Sequence, residues 1–141
     1  MKFTFSFSGG TEKLEELRRA LADGLENAVT LAGEEMSDEV RKSLAVSARS
    51  ADGRPLASAP GEPPHRRTGR LQDSVACEIS ADGENGFVAA VGDLYGDAPY
   101  AKALEYGTET VRPRPFLLPA LLTGARKLAQ RVKELAQGGN T

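Results

Sequence analysis

Apolar and polar residues alternate early in the chain: Thr4 and Ser6 separate Phe3, Phe5 and Phe7, the two-residue period of a half-buried strand. Gly9-Gly10 ends that run, and Thr11 can cap a following helix. Leu14, Leu17, Leu21, Leu25, Val29, Ala32, Met36, Val40 and Leu44 then recur at spacings of three and four, one apolar stripe on a helix. The pattern predicts a helix over about 11–47, with a break near Gly33 and a restart at Ser37. Core packing accounts for the stripe.

Periodicity stops between 48 and 69. The stretch ARSADGRPLASAPGEPPHRRTG holds four prolines and three glycines, which exclude regular structure. A loop of this length inside a compact domain is usually functional or disordered. Its composition predicts a segment that is flexible in the isolated subunit and orders during assembly, because few apolar side chains offset the entropy of fixing its backbone.

Alternation returns at Val75, Cys77 and Ile79, followed by the turn residues ADGENG and the apolar run FVAAVG, which together read as a β-hairpin. Asp97 and Pro99 can open a short helix carrying Tyr100, Ala101 and Leu104, and Gly107 is placed to end it. The prolines of TETVRPRP hold the next stretch extended. Pro119 suits the first turn of a last helix, whose predicted stripe is Leu118, Leu121, Leu122, Ala125, Leu128, Val132 and Leu135. Arg126, Lys127, Arg131 and Lys133 suit its C-terminal half. The expected fold is α+β. A small, mostly antiparallel sheet (N-terminal strand plus hairpin) packs with a long N-terminal helix, a short helix and a C-terminal helix, as a single domain over 1–141.

Composition narrows the classes of function. A chain of 141 residues with net charge −2 has no global pull toward DNA or an anionic membrane. No apolar run reaches the roughly 20 residues of a membrane span, and MKFTFSFSGG lacks a signal peptide's continuous apolar stretch, so the expected place of synthesis is the cytoplasm. Cys77 and His65 are each the single residue of their kind, which excludes an internal disulfide and a Cys/His zinc site. Charge is uneven along the chain. Residues 11–45 carry nine acids against five bases, and 49–70 carry five arginines against two acids. Such a division suits head-to-tail association of identical subunits.

The search for catalytic chemistry returns little. No glycine-rich phosphate loop is present, and His65 lies among prolines and arginines where a relay base would lack a rigid orienting partner. Asp93, Asp97 and Glu105 are near one another in sequence, but helix capping explains Asp97 equally well. No catalytic, cofactor-binding or metal-binding residue is assigned, and the chain is read as not an enzyme. The dense basic cluster is His65-Arg66-Arg67-Thr68-Gly69-Arg70. Its arginines could meet phosphates, yet it lacks the aromatics of a single-strand binder and lies on no recognition helix. Protein–protein docking is the preferred role. A nucleic-acid-contacting module using 65–70 is the alternative, and a hydrolase built on His65 or the carboxylates is a disfavoured third.

Three segments, PGEPPHRRTGRLQDSV (60–75), YAKALEYGT (100–108) and RPRPFLLPAL (112–121), resemble in order and spacing the phage neck and tail-completion proteins of the HK97 gp10-like type. The match is close over 60–121 and holds only in kind outside it. The resemblance implies a virion structural protein at the head–tail junction of a long-tailed phage, assembled in the host cytoplasm. A neck, tail-completion or tail-terminator subunit would form a ring of copies of itself, with six or twelve suiting the junction's symmetry. A head-closure or adaptor protein would lie above, a tail-tube or terminator protein below, and genomic DNA would pass through. No membrane, catalysis or cofactor is implied. Of the matched positions, Gly69 would bend the loop into the first hairpin strand and Leu71 would anchor it. Tyr100, Leu104 and Tyr106 would pack the short helix, with Gly107 as its stop. Pro113, Pro115, Phe116, Leu117 and Pro119 would place the last helix. Arg66, Arg67, Arg70, Glu105, Arg112, Arg114 and Phe116 are the candidate contacts between subunits.

Overall fold

The computed structural model describes residues 2–8, 15–83 and 86–138. The elements are β1 (Lys2–Ser8), α1 (Glu15–Ser43), α2 (Arg70–Ser74), β2 (Val75–Asp82), β3 (Gly86–Asp93), α3 (Ala101–Tyr106) and α4 (Leu118–Gly138). The fold is α+β, as the hydrophobic pattern predicts. The strand order β1-β3-β2 makes one antiparallel sheet with the second hairpin strand in the middle. Its register sets Phe3 opposite Val91, Phe5 opposite Ala89, and Cys77 opposite Val91 on the other side. The expected turn at Gly9-Gly10, the cap at Thr11 and the middle of the hairpin tip lie outside the described residues, as does the expected half-burial of the three phenylalanine rings.

The long helix lies against β2, β3 and α4. Leu25, Val29, Ala32, Met36, Val40 and Leu44 are buried along one side, as their spacing predicts. The expected break at Gly33 does not occur, and α1 runs unbroken through it. Gly33 is there for closeness. A Cβ at that position would stand 2.7 Å from Cys77 Sγ and 3.1 Å from the Ala89 methyl, so only glycine lets the helix backbone settle onto the sheet. Gly124 does the same between helices, since a Cβ there would overlap the Met36 side chain. Two apolar clusters result. One joins Met36, Val40, Leu44, Leu71, Val75, Val91 and Phe116, and the other joins Ala28, Val29, Ala32, Ala89 and Leu128.

Three further expectations are corrected. The stripe of α4 is only partly as expected: Leu128 is buried and Leu121, Val132 and Leu135 are half-buried, but Leu117 and Gly124 complete the buried face while Leu118, Leu122 and Ala125 are exposed. With leucines at 117, 118, 121 and 122, two helix faces look equally apolar, and glycine at the true contact gives no hydrophobic signal. The chain also does not pass directly from Gly69 into a strand, because Arg70–Ser74 forms the one-turn α2 first. Finally, α3 is not packed by its tyrosines. Tyr100 and Tyr106 are exposed and Leu104 is half-buried, whereas Ala101 and Glu105 face inward.

Candidate functional site

Glu105 organises the region that the matched segments share. Its side chain is 4 % exposed, and its carboxylate accepts three backbone hydrogen bonds. Oε2 takes the N–H groups of Phe116 (2.9 Å) and Leu117 (3.0 Å), and Oε1 takes that of Leu118 (2.9 Å). The first N–H groups of a helix have no partner inside it, and a negative charge there also meets the positive end of the helix dipole. Glu105 thus caps α4 from α3, across the extended stretch between them. The joint is closed further by the Arg114 N–H to the Leu104 carbonyl (2.6 Å) and the Thr108 N–H to the Val111 carbonyl (2.8 Å). Gly107, at φ 74°, makes the turn that ends α3, where a side chain would press on the Val111 carbonyl.

The segment from 46 to 69 has a defined course over this joint. The Arg66 N–H donates to the Val46 carbonyl (2.7 Å), Leu56 to Ala48 (2.9 Å), and Gly61 to the Pro113 carbonyl (3.0 Å). Arg114 Nε donates to the Ser58 carbonyl at 3.2 Å. Ser58 and Pro64 are buried as a result. At the end of the segment Gly69 sits at φ 88°, a left-handed conformation that side chains disfavour. The Arg66 guanidinium lies over its bare backbone, with Nη2 2.8 Å from where a Cβ would be. Gly69 therefore bends the chain, as expected, and also seats an arginine.

These pieces enclose a groove of about 540 Å³. Leu44, Leu71, Leu104 and Tyr100 give it apolar surface, while Arg66, Arg67, Arg70 and Arg114 give it positive charge, with His65 beside them. No Asp or Glu lines it. Arg66 Nε donates to Gln72 Oε1 (3.2 Å), and Arg70 Nε donates to the Asp97 carbonyl (2.5 Å). The ion pairs among the described residues are Arg41–Asp38, Arg54–Asp52 and Arg131–Glu35, none of them in the groove. Arg66, Arg70 and Arg114 are thus held by neutral acceptors, and none of the four groove arginines has an ion-pair partner among the described residues. In its wall, Ser58 Oγ is buried with no hydrogen-bond partner among the described residues.

Of the arginines expected as contacts between subunits, the fold brings Arg66, Arg67, Arg70 and Arg114 to one groove. Arg112 is exposed and does not line the groove. Glu105 and Phe116 are corrected as contacts between subunits, because the carboxylate is used up within the chain and Phe116, 2 % exposed, belongs to the core. Pro115 is half-buried beside it, and Pro119 occupies the first turn of α4. The candidate carboxylates also have backbone duties. Asp93 accepts the N–H groups of Asp97 (2.9 Å) and Ala98 (3.0 Å), shaping the entry to α3. His65 Nδ1 donates to the Leu56 carbonyl (2.9 Å). Among the described residues no three His, Cys, Asp or Glu side chains gather as a metal site. No described helix is long and apolar enough to cross a membrane.

The sequence did not point to Ser58, Gln72 or Leu44 as parts of this site. Leu44 is at the last turn of the α1 stripe, where core and groove meet, and Gln72 was hidden because α2 was not expected. Comparison with protein-family models, with curated proteins and with solved structures finds no match in any of the three.

Proposed function

We propose that this chain is a structural subunit of a virion, placed at the head–tail junction of a long-tailed phage and acting without catalysis. The observation that carries the reading is convergence. The three segments behind the resemblance, 60–75, 100–108 and 112–121, meet around one groove although up to 40 or so residues separate them. Gly61 bonds to Pro113, Leu104 to Arg114, and Glu105 to residues 116–118. A pattern distributed in sequence but compact in space is what a shared docking surface would leave. Localised virion, neighbours above and below, and a ring of identical copies follow from the same reading.

Electron microscopy of particles from a phage carrying a disrupted copy of this gene tests it. Filled heads and finished tails left unjoined are the expected result. Abnormally long tails would favour the terminator position, and normal infectious virions would refute the proposal. The alternative is direct contact with nucleic acid, and the groove arginines, without ion-pair partners among the described residues, are the observation in its favour. Titration with duplex DNA at two salt concentrations separates the readings. Phosphate-dominated binding weakens steeply as salt rises, and absence of binding at low salt removes the alternative.

A further inference from the structure

We infer that the arginine groove receives the acidic, leucine-centred face of α1 from a second copy of this chain, so that subunits join head to tail. The inference rests on the assembly reading above and names its surfaces. On the side of α1 turned away from its buried stripe, Asp23, Glu34 and Asp38 are exposed. Among them stands Leu31, 45 % exposed on a helix whose other face is a well-formed core. Leu31, Glu34 and Asp38 follow at three and four residues, which sets them along one helix face over a rise of about 10 Å. Glu34 has no cationic partner among the described residues, and Asp38 has only the half-buried Arg41, 3.2 Å away, which also donates to the Val75 carbonyl.

The two patches complement each other in both respects that matter. The groove offers apolar surface from Leu44, Leu71, Leu104 and Tyr100, with arginines and no acids at its walls. The helix face offers one apolar knob flanked by carboxylates. An arginine fork matches carboxylate geometry. The groove and the helix face are different patches on one subunit, because the groove reaches only Leu44 at the C-terminal end of α1. Pairing of unlike patches leaves one of each unused on every pair, so it propagates, and it closes into a ring when the rotation allows. DNA is the less favoured occupant, because an apolar floor wide enough for a side chain has no use against a phosphate backbone.

Two single variants test the pairing. Arg67→Glu reverses charge at the groove mouth, and Leu31→Asp replaces the knob with a further acid. Arg54→Glu is the control: it makes the same charge change in the same loop, outside the groove. Circular dichroism confirms folding of each before sedimentation velocity over a range of concentrations. Wild type and Arg54→Glu should self-associate alike, and each test variant should weaken association roughly tenfold or more. An equimolar mixture of Arg67→Glu and Leu31→Asp should give a one-to-one dimer and stop there. One intact groove meets one intact helix face, and the two spare patches repel. Test variants that associate like wild type, a mixture that stays monomeric, or a wild type monomeric throughout would overturn the pairing. So would duplex DNA binding that Arg67→Glu abolishes without any self-association, which would assign the groove to DNA. Unjoined heads and tails in the gene-disrupted phage would in those cases leave the junction role standing, with another face making the contacts.

Discussion

Replacing Glu105 by alanine should be among the most damaging single changes available to this chain, although it removes only one buried methylene besides the carboxylate. The substitution strips acceptors from three amides at once, those of Phe116, Leu117 and Leu118. Loss of a cap alone costs about 1 kcal/mol. The Phe116 and Leu117 amides are buried and would lack any partner, at about 1–3 kcal/mol for each orphaned donor. Bonds to one carboxylate are not additive, so about 3 kcal/mol is the expected total. For a chain of this size that corresponds to roughly 10 °C in Tm. Glu105→Gln separates capping from packing. Its shape is unchanged, but one carboxylate oxygen becomes an NH₂ group facing another donor, and about half the loss should persist. Guanidinium denaturation followed by far-UV circular dichroism, with linear extrapolation, gives both values. A loss below about 1 kcal/mol for Glu105→Ala, or a Gln variant as stable as wild type, would refute the capping account.

Other outcomes follow from close contacts, titration and the loop. Gly33→Ala should destabilise by about 1–2 kcal/mol through overpacking against Cys77, despite alanine's better helix propensity. A Cys77→Ala background should recover part of that, and strict additivity in the double-mutant cycle would exclude the contact. Burial, and next the nearby charge of Glu34, push the Cys77 thiol above its usual 9.0. The folded chain then holds this proton more tightly than the unfolded one. The resulting stability is complete below about pH 9 and is lost as pH rises through the folded value. Urea midpoints measured up to about pH 11 should therefore decline less steeply for Cys77→Ser; an unchanged slope would exclude the linkage. Tyr95, whose hydrogen bond to Glu78 raises its phenol, contributes a residual slope of the same sign. In hydrogen exchange, the amides of Gly61 and Arg66, bonded to Pro113 and Val46 within the chain, should exchange more slowly in the monomer than that of Ala57, and the loop as a whole should gain protection on assembly. Strong protection across 50–65 in a proven monomer would exclude assembly-coupled ordering of the loop.

How much the sequence disclosed depended on whether a residue's duty was periodic. The α1 stripe from Leu25 to Leu44 and the hairpin were legible because burial repeats at the period of the element. Gly33 was misread for a physical reason: glycine weakens a helix and also permits close approach, and only the partner surface shows which effect operates. Twin leucines in α4 gave two equivalent faces, and Gly124, the actual contact, is silent in any hydrophobic pattern. In the candidate site, the arginines were legible as a dense cluster and Gly69 as a bend. Glu105 was noticed as an unusual acid but given an external partner, since nothing local in sequence ties it to amides more than ten positions away. The groove itself was invisible, because it is made by segments whose proximity only the fold creates.

The strand order has a consequence for how the subunit is made. β2 and β3 lie close together in sequence and can pair as soon as both exist, whereas β1 must wait for β3, although it is synthesised far earlier. Closing the span from Ser8 to Gly86 costs roughly 3 kcal/mol more chain entropy than closing the hairpin from Asp82 to Gly86. Long-range pairing of this kind slows folding. Made before the other two strands of its sheet, β1 is therefore expected to be the last of the three to join it. Until it does, one edge of β3 presents unpaired backbone groups, open to the wrong strand from a neighbouring nascent chain. If the chain is the ring subunit proposed above, many copies made together would meet that hazard most often at the site of their synthesis.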